Sequence, residues 1–430
     1  MDALLAKNSE KCGCSAPVDG VEIATIGTHE TRMEARPIPE ISGKKLIFLE
    51  SIRGVAAFVV VVHHLVLTFF PNVYSAQDGV SKFVRPILKL FVNGSLSVRV
   101  FFVLSGFVLS LSFFRTQSPK VLPSAALRRY FRLVVPVFIA TMLGWVFLQA
   151  GFYWNVEAAK MMAFPPIDGK HWLGDFGSFG EMNFWEALNQ GLFGVFFNCD
   201  RLLNSALWTM PIELAGSFLV FSVLSLFGGV SQRGVIYVLL AFVFEDYFVD
   251  FICGIAMCDL YTRREKLSQP LNAPLWVSFS MVGVGLFLGG GLPGWLTSHA
   301  GISLKLAWHP IAATMIVGGT LMSKTLRRVL ELGVFAFLGK ISFSIYVIHM
   351  PIILSFGCWA YVGLRNAMFG HAASASLAML LCIFASVMAA WGLYYAGDIQ
   401  GIRLGRLVER MFFPNPPPET SARHSSVSPQ

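Results

Sequence analysis

The chain has 430 residues, 55% of them hydrophobic and only 13% charged, with a formal net charge of +8 and a mean hydropathy of +0.63. Soluble domains carry about a quarter of their residues as charges, so this composition excludes an ordinary globular protein and describes an all-α, polytopic membrane protein embedded in a lipid bilayer. The positive charge does not indicate a nucleic-acid partner, because the lysines and arginines flank apolar runs and form no basic block interleaved with aromatics.

Residues 1–44 are polar and mixed in charge, which predicts a disordered N-terminal tail, and no apolar stretch before Leu46 has the form of a secretory signal. Cys12 and Cys14 lie in this tail. The seven cysteines are scattered and odd in number, so they indicate neither a disulfide framework nor a metal site. Apolar runs suited to a ~30 Å hydrocarbon core then predict about ten transmembrane helices. They fall at 46–70, 95–113, 130–151, 205–227, 234–244, 248–261, 275–291, 303–322, 333–356 and 374–396. The fifth and sixth are short and separated by Glu245 and Asp246, so one broken helix or a re-entrant pair is the alternative. Residues 152–204 form a long non-cytosolic loop that mixes aromatics with Asp168, Asp175, Glu181, Glu186 and Asp200. Within it, FWEALNQGLFGVFF reads as an interfacial helix, either a lid over a site or a surface element. The sequon at Asn93 abuts a span and is expected to go unused. Residues 401–430, ending in a Pro/Ser-rich stretch, are expected to be a disordered tail. A cytosolic N-terminus places 22 of the 33 lysines and arginines on the inner side, so both termini are expected in the cytosol.

Within these spans the polar residues are few and spaced like functional groups. Arg53 and His64 are eleven residues apart, about 20° past three turns, so they share one helix face about 16 Å apart along the axis. A guanidinium in lipid costs ~2.5 kcal/mol or more, so that face is expected to look into protein or water. His63 points about 80° away and reads as structural. Arg128, Arg129 and Arg132 cluster at the cytosolic end of the third span, as a phosphate clamp or as positive-inside charge. Glu213, near Trp208, requires a partner such as Arg99, Lys340 or a histidine. Ser342, Tyr346 and His349 form one polar stripe, whereas the pair Lys305 and His309 reads as packing. No G-x-S-x-G, P-loop, G-x-G-x-x-G or H-E-x-x-H sequence occurs, so the chain lacks the hallmarks of an elbow-type hydrolase, P-loop ATPase, dinucleotide enzyme or zinc protease.

Taken together, these elements resemble the integral-membrane acyltransferase-3 family. The resemblance rests on Arg53 and His64 with ten residues between them, on FFVLSGF at 101–107 with Ser105 and Gly106, and on Arg129, Arg132 and Pro136. Trp208 with Glu213, and Gly339 through His349, complete it, in the family's order over about residues 44–400. Many members carry an acidic residue just before FFVLSGF, where this chain has Arg99. The wording LWTMPIELAGS is similar to the fungal branch, whose members modify hydroxyls of small metabolites or cell-surface material.

The resemblance implies a membrane acyltransferase domain over residues 45–400 that moves an acyl group, expected to be acetyl, from acyl-coenzyme A to a hydroxyl of a small metabolite or glycan. No permanently bound cofactor and no metal are expected; acetyl-coenzyme A is a co-substrate. Its phosphates are assigned to Arg53, Arg128, Arg129 and Arg132, with Ser105 beside them. His64 is the expected general base or transient acyl carrier, helped by Arg53 and Glu213. Trp208, Ser342, Tyr346 and His349 are expected to shape the acceptor site. The alternative class is a small-metabolite transporter without acyl-transfer chemistry, which lacks support from internal repeats.

Overall fold

The computed structural model describes residues 46–75, 79–162, 173–174, 182–269, 271–290 and 302–413, and every regular element among them is helical. The N-terminal tail with Cys12 and Cys14, loop residues Asp168, Asp175 and Glu181, the side chain of Lys305 and the Pro/Ser-rich end lie outside the described residues. Thirteen helices carry the argument: α1 (Ile47–Phe69), α2 (Gly79–Phe91), α3 (Gly94–Thr116), α4 (Val121–Gln149), α5 (Met210–Phe227), α6 (Arg233–Val243) and α7 (Phe248–Lys266). The second half supplies α8 (Leu275–Gly289), α9 (Ile302–Met322), α10 (Gly333–Lys340), α11 (Ser342–Ile352), α12 (His371–Leu393) and α13 (Ile399–Phe412).

Six helical stretches among the described residues are long and apolar enough to cross a bilayer: Ile47–Phe69, Val84–Thr116, Val121–Gln149, Ser205–Phe227, Ser342–Asn366 and His371–Phe412. The expected fifth span is α6, whose 11 residues rise about 16 Å, roughly half the hydrocarbon thickness. The expected sixth, α7, holds Asp250 and Asp259 buried within it and ends in Arg263, Arg264 and Lys266. The expected ninth span is broken at Ile341 into α10 and α11. At the C-terminal end, α12 runs through a π-helical turn at Tyr394–Asp398 into α13, so helix extends to Phe412, well into the stretch expected to be disordered. The loop segment from Phe184 to Phe197 is helical, as its sequence pattern indicates, and packs on α4, where Tyr130 Oη donates to Leu192 O at 2.5 Å.

In a bilayer, lipid tails are as apolar as leucine, so helices gain most from close backbone approach at small residues. Two such approaches organise the interior. At the first, α1 crosses α10, and a Cβ on Gly54 would overlap the Leu338–Gly339 backbone, while one on Gly339 would lie 2.6 Å from the Glu50 carbonyl carbon. At the second, α3 crosses α7, where a Cβ on Gly106 would overlap the Phe251 carbonyl and one on Gly254 would overlap Val103 O. Asn93 caps α3 by accepting from Leu96 N at 3.1 Å and donates its amide to Gly289 O at 2.6 Å, so the sequon's side chain already joins α3 to α8.

The α1–α10 crossing explains the break at Ile341. The short helix is pinned against α1 at Gly339, and the chain turns there into α11, leaving Lys340 and Ser342 on the same cavity. Placing a leucine at Gly54 is therefore expected to lower the melting temperature in detergent sharply or to abolish a monodisperse folded species, since overpacking a tight contact costs ~1–3 kcal/mol or more. Gly363→Ala, where nothing lies within 4 Å of the added Cβ, should change the same measurement little.

Candidate active site

An open cavity of about 1000 Å³, solvent space at its mouth included, lies at the meeting of α1, α3, α4, α5, α10, α11 and α13. Four cations (Arg53, Arg129, Arg132, Lys340) and three carboxylates (Glu50, Glu213, Asp398) line it, together with Ser342, Thr209 and the rings of Phe101, Tyr346 and Tyr394. The short π-helix Tyr394–Asp398 brings both its end residues into the lining, and such bulges within helices recur at functional sites. Asp398 Oδ2 accepts from Ser344 Oγ at 2.8 Å. The Arg53 Nε atom is buried and has no hydrogen-bond partner among the described residues.

The wall of the cavity is held by one ion pair. Arg129 and Glu213 are each 6% exposed, and the guanidinium donates to Glu213 Oε1 while its Nε donates to Ser217 Oγ at 2.7 Å. Ser105 Oγ donates to the same Glu213 oxygen at 2.6 Å, and Ser217 Oγ donates to the Glu213 carbonyl at 2.6 Å. Three helices, α3, α4 and α5, are thereby joined through one carboxylate. The partner of Glu213 is Arg129, not Arg99, Lys340 or a histidine. Arg99 is occupied elsewhere, donating to Asp246 Oδ1 at 2.7 Å and Asp250 Oδ2 at 3.2 Å.

Beyond the cavity, α1 and α11 bring two imidazoles together. His64 Nδ1 lies 3.2 Å from His349 Nε2 and 3.0 Å from Val60 O. His349 is fully buried, whereas His64 keeps partial exposure. Neither histidine is part of the cavity lining, and the side of the lining toward them carries Phe101 and Tyr346, whose ring centroids are 5.6 Å apart. The Arg53 guanidinium sits 6.0 Å from the Phe101 centroid, and the Tyr346 and His349 rings are also 6.0 Å apart. Arg53, Phe101, Tyr346 and His349 therefore form a continuous series of contacts from the charged cavity to the histidine pair.

The remaining residues singled out by sequence fall into two groups. Ser342 and Tyr346 line the cavity with Arg53, Arg129, Arg132 and Glu213. Tyr346 Oη is fixed by Thr209 Oγ1 at 2.8 Å and by donation to Ala206 O at 3.2 Å. Arg128, Ser105 and Trp208 stand outside the lining. Arg128, although one turn from Arg132 on the same helix, is drawn out of the lining by Glu409, whose two oxygens each accept from it at 2.6 Å. Trp208 stacks near Tyr247, 5.5 Å between centroids. None of the described residues of 152–204 reaches the lining, so the lid reading gains no support. His63 meets the His64 ring edge-on, 5.4 Å between centroids, but its Nδ1 lies 3.3 Å from Val92 O and not on either imidazole of the pair. Sequence reasoning missed Glu50, Asp398, Thr209 and Phe101. Asp398 carried a usable signal, since a lone carboxylate in an otherwise apolar run of helix needs a reason.

Comparison with known proteins agrees with the geometry. The family model described as an acyltransferase domain, Acyl_transf_3, matches residues 46–395, which is most of the chain. The chain belongs to the acyltransferase-3 family. It is therefore a multi-pass membrane enzyme that transfers acyl groups. It is 26% identical to O-acetyltransferase PaAT-1 of Phomopsis amygdali over 373 residues, covering 72% of each chain. It is 24% identical to Acyltransferase R4 of Phoma sp. over 391 residues, 74% of this chain and 82% of the relative, and 22% identical to Acyltransferase clz18 of Cochliobolus lunatus over 366 residues. These relatives place it with the fungal acyltransferases. No solved structure matches the chain.

The acyltransferase-3 motifs acquire physical roles in this chain. Ser105 and Gly106 of FFVLSGF face opposite neighbours, the serine toward Glu213 on α5 and the glycine into the contact with α7. Arg129 and Glu213, from two other motifs, are each other's partners. Removing one member of a buried pair leaves an uncompensated charge and costs ~3–5 kcal/mol, while removing both is far milder. Glu213→Leu should therefore lower the detergent melting temperature markedly, and Arg129→Leu combined with Glu213→Leu should recover much of the loss.

Proposed function

We propose that this acyltransferase moves an acetyl group from acetyl-coenzyme A, presented from the cytosol, to a hydroxyl of a small metabolite or glycan. The observation that carries the donor assignment is Arg53, a guanidinium in a cavity with Arg132 and Lys340, with a buried Nε that no described residue satisfies. Pairing Arg129 with Glu213 leaves these three cations against Glu50 and Asp398, a net excess of one positive charge in the cavity. Guanidinium forks match phosphate oxygens in geometry, and such charge-assisted bonds are the strong ones. Arg53 lies near the N-terminal end of α1 and the cavity includes Lys340 and Ile402, the ends where the chain's cations concentrate. With the N-terminus in the cytosol, the orientation that the distribution of lysines and arginines favours, this mouth opens on the inner face. The printed name of the Phomopsis relative, an O-acetyltransferase, supports acetyl as the group and oxygen as its destination.

In this reading the thioester reaches His64 past Phe101 and Tyr346, along the face of α1. His64 takes the hydroxyl proton as the acceptor oxygen attacks the thioester carbonyl carbon. The new C–O bond forms, the C–S bond breaks with its electrons going to sulfur, and the histidine proton passes to that sulfur. The products are the ester and coenzyme A as a free thiol, with His64 neutral again. A positioned base of this kind is typically worth 10² to 10⁴ in rate. No permanently bound cofactor or metal enters this scheme.

The test is transfer of labelled acetyl from acetyl-coenzyme A to a mixture of hydroxylated small molecules by membranes containing the full chain. His64→Ala should lose at least a hundredfold in rate while keeping its chromatographic profile. Arg53→Gln should raise the KM for acetyl-coenzyme A by about ten- to a hundredfold, the worth of a bond to a charged group, whereas Arg128→Gln should leave that KM nearly unchanged. Ester formation at the normal rate by His64→Ala would rule out the assignment of the base.

A further inference from the structure

The tautomers of the two imidazoles are determined by the carbonyls around them. His349 Nδ1 lies 2.7 Å from Tyr346 O and 3.2 Å from Ile345 O. A carbonyl oxygen only accepts, so Nδ1 of His349 carries the hydrogen and, in the neutral ring, Nε2 carries the lone pair. That lone pair faces His64 Nδ1 at 3.2 Å, and His64 Nδ1 also lies 3.0 Å from Val60 O. Among the described residues, both neighbours of His64 Nδ1 are acceptors, so this nitrogen holds a hydrogen shared between them. The opposite tautomer of His64 would set three lone pairs against one another.

We propose that His349 is a positioning residue that locks His64 in its Nδ1–H tautomer, making Nε2 of His64 the nitrogen that receives the acceptor's proton. This rests on the reading of His64 as the base. The chain of bonds runs from Tyr346 O through His349 to His64, and each link is a hydrogen donated toward the α11 backbone. His349 is 0% exposed, and α11 holds its Nδ1 at two carbonyls, so the ring cannot turn without losing both. When His64 gains a proton, its Nδ1–H bond to His349 becomes charge-assisted and stronger, which keeps the ring aimed through the transfer. A neutral imidazole in this place orients His64 without adding a carboxylate, which would hold the base in its protonated form. The other titratable rings beside the pair are His63, 5.4 Å from His64, and Tyr346, 6.0 Å from His349.

Three substitutions at His349 separate orientation from packing, using membranes with the full chain, labelled acetyl-coenzyme A and the hydroxyl mixture. His349→Leu removes the acceptor and should lower transfer roughly 10- to 100-fold, the scale found when a histidine ligand of a metal loses the partner that orients it. His349→Gln returns a side-chain oxygen to the Nε2 position and should restore most of the rate. His349→Glu should move the acidic limb of the pH–rate profile upward by about one unit, because a carboxylate favours imidazolium. Wild-type activity in His349→Leu, or equal loss in the Leu and Gln variants with both eluting as folded protein, would overturn the proposal. Should the variants fail to fold, the 15N spectrum of histidine-labelled wild-type protein, assigned with His64→Ala, decides it: an Nδ1–H His64 is expected, and an Nε2–H ring defeats the idea. Full transfer by His64→Ala would sink the base assignment while leaving that spectrum as an independent reading of the lock.

Discussion

The buried ion pair of Arg129 and Glu213 is the interaction on which the cavity depends. It joins α4 to α5, and Ser105 adds α3 to the same carboxylate oxygen. In a low-dielectric interior either charge alone is costly, so the pair favours the packing that brings α4 and α5 together. The motifs that carry Ser105, Arg129 and Glu213 are distant in sequence, and their coincidence in space follows from this constraint. A consequence for the site is that Arg129 is committed to the wall, while Arg53, Arg132 and Lys340 are the other cations of the cavity lining.

Charge exchange between helices recurs throughout the molecule. Arg99 stands where many members of the family have an acid, and here α7 and the turn before it supply the acids, Asp250 and Asp246. Asp259 similarly binds Arg233 and Arg263, tying the short α6 to α7, and Arg128 is held by Glu409 on α13. The 11-residue α6 is thus fixed by charge as well as by apolar contact.

The site divides into a charged chamber and a histidine pair, with Phe101 and Tyr346 between them. Such a division suits a reaction whose donor is largely polar and whose reacting ends must be kept from water. Tyr346 serves both sides: its ring borders the chamber, its hydroxyl is fixed by Thr209 and Ala206, and its carbonyl fixes His349.

Much of this was legible in the sequence. Hydropathy gave the spans of α1, α3 and α5 to within a few residues, because a helix in lipid must satisfy its own backbone and therefore needs an unbroken apolar run. Helical arithmetic put Arg53 and His64 on one face, and the family motifs brought out Ser105, Arg129, Glu213 and His349. What the sequence could not decide was partnership. Periodicity fixes the direction of a side chain on its own helix but not the neighbour that helix meets, so Glu213 could have paired with several cations and Arg128 could have joined Arg129. The break at Ile341 was equally hidden, since it arises from Gly339 being pinned on α1 and not from any breaker in the run. Tertiary structure alone set His349 against His64, because that contact needs two helices 285 residues apart in sequence to approach face to face.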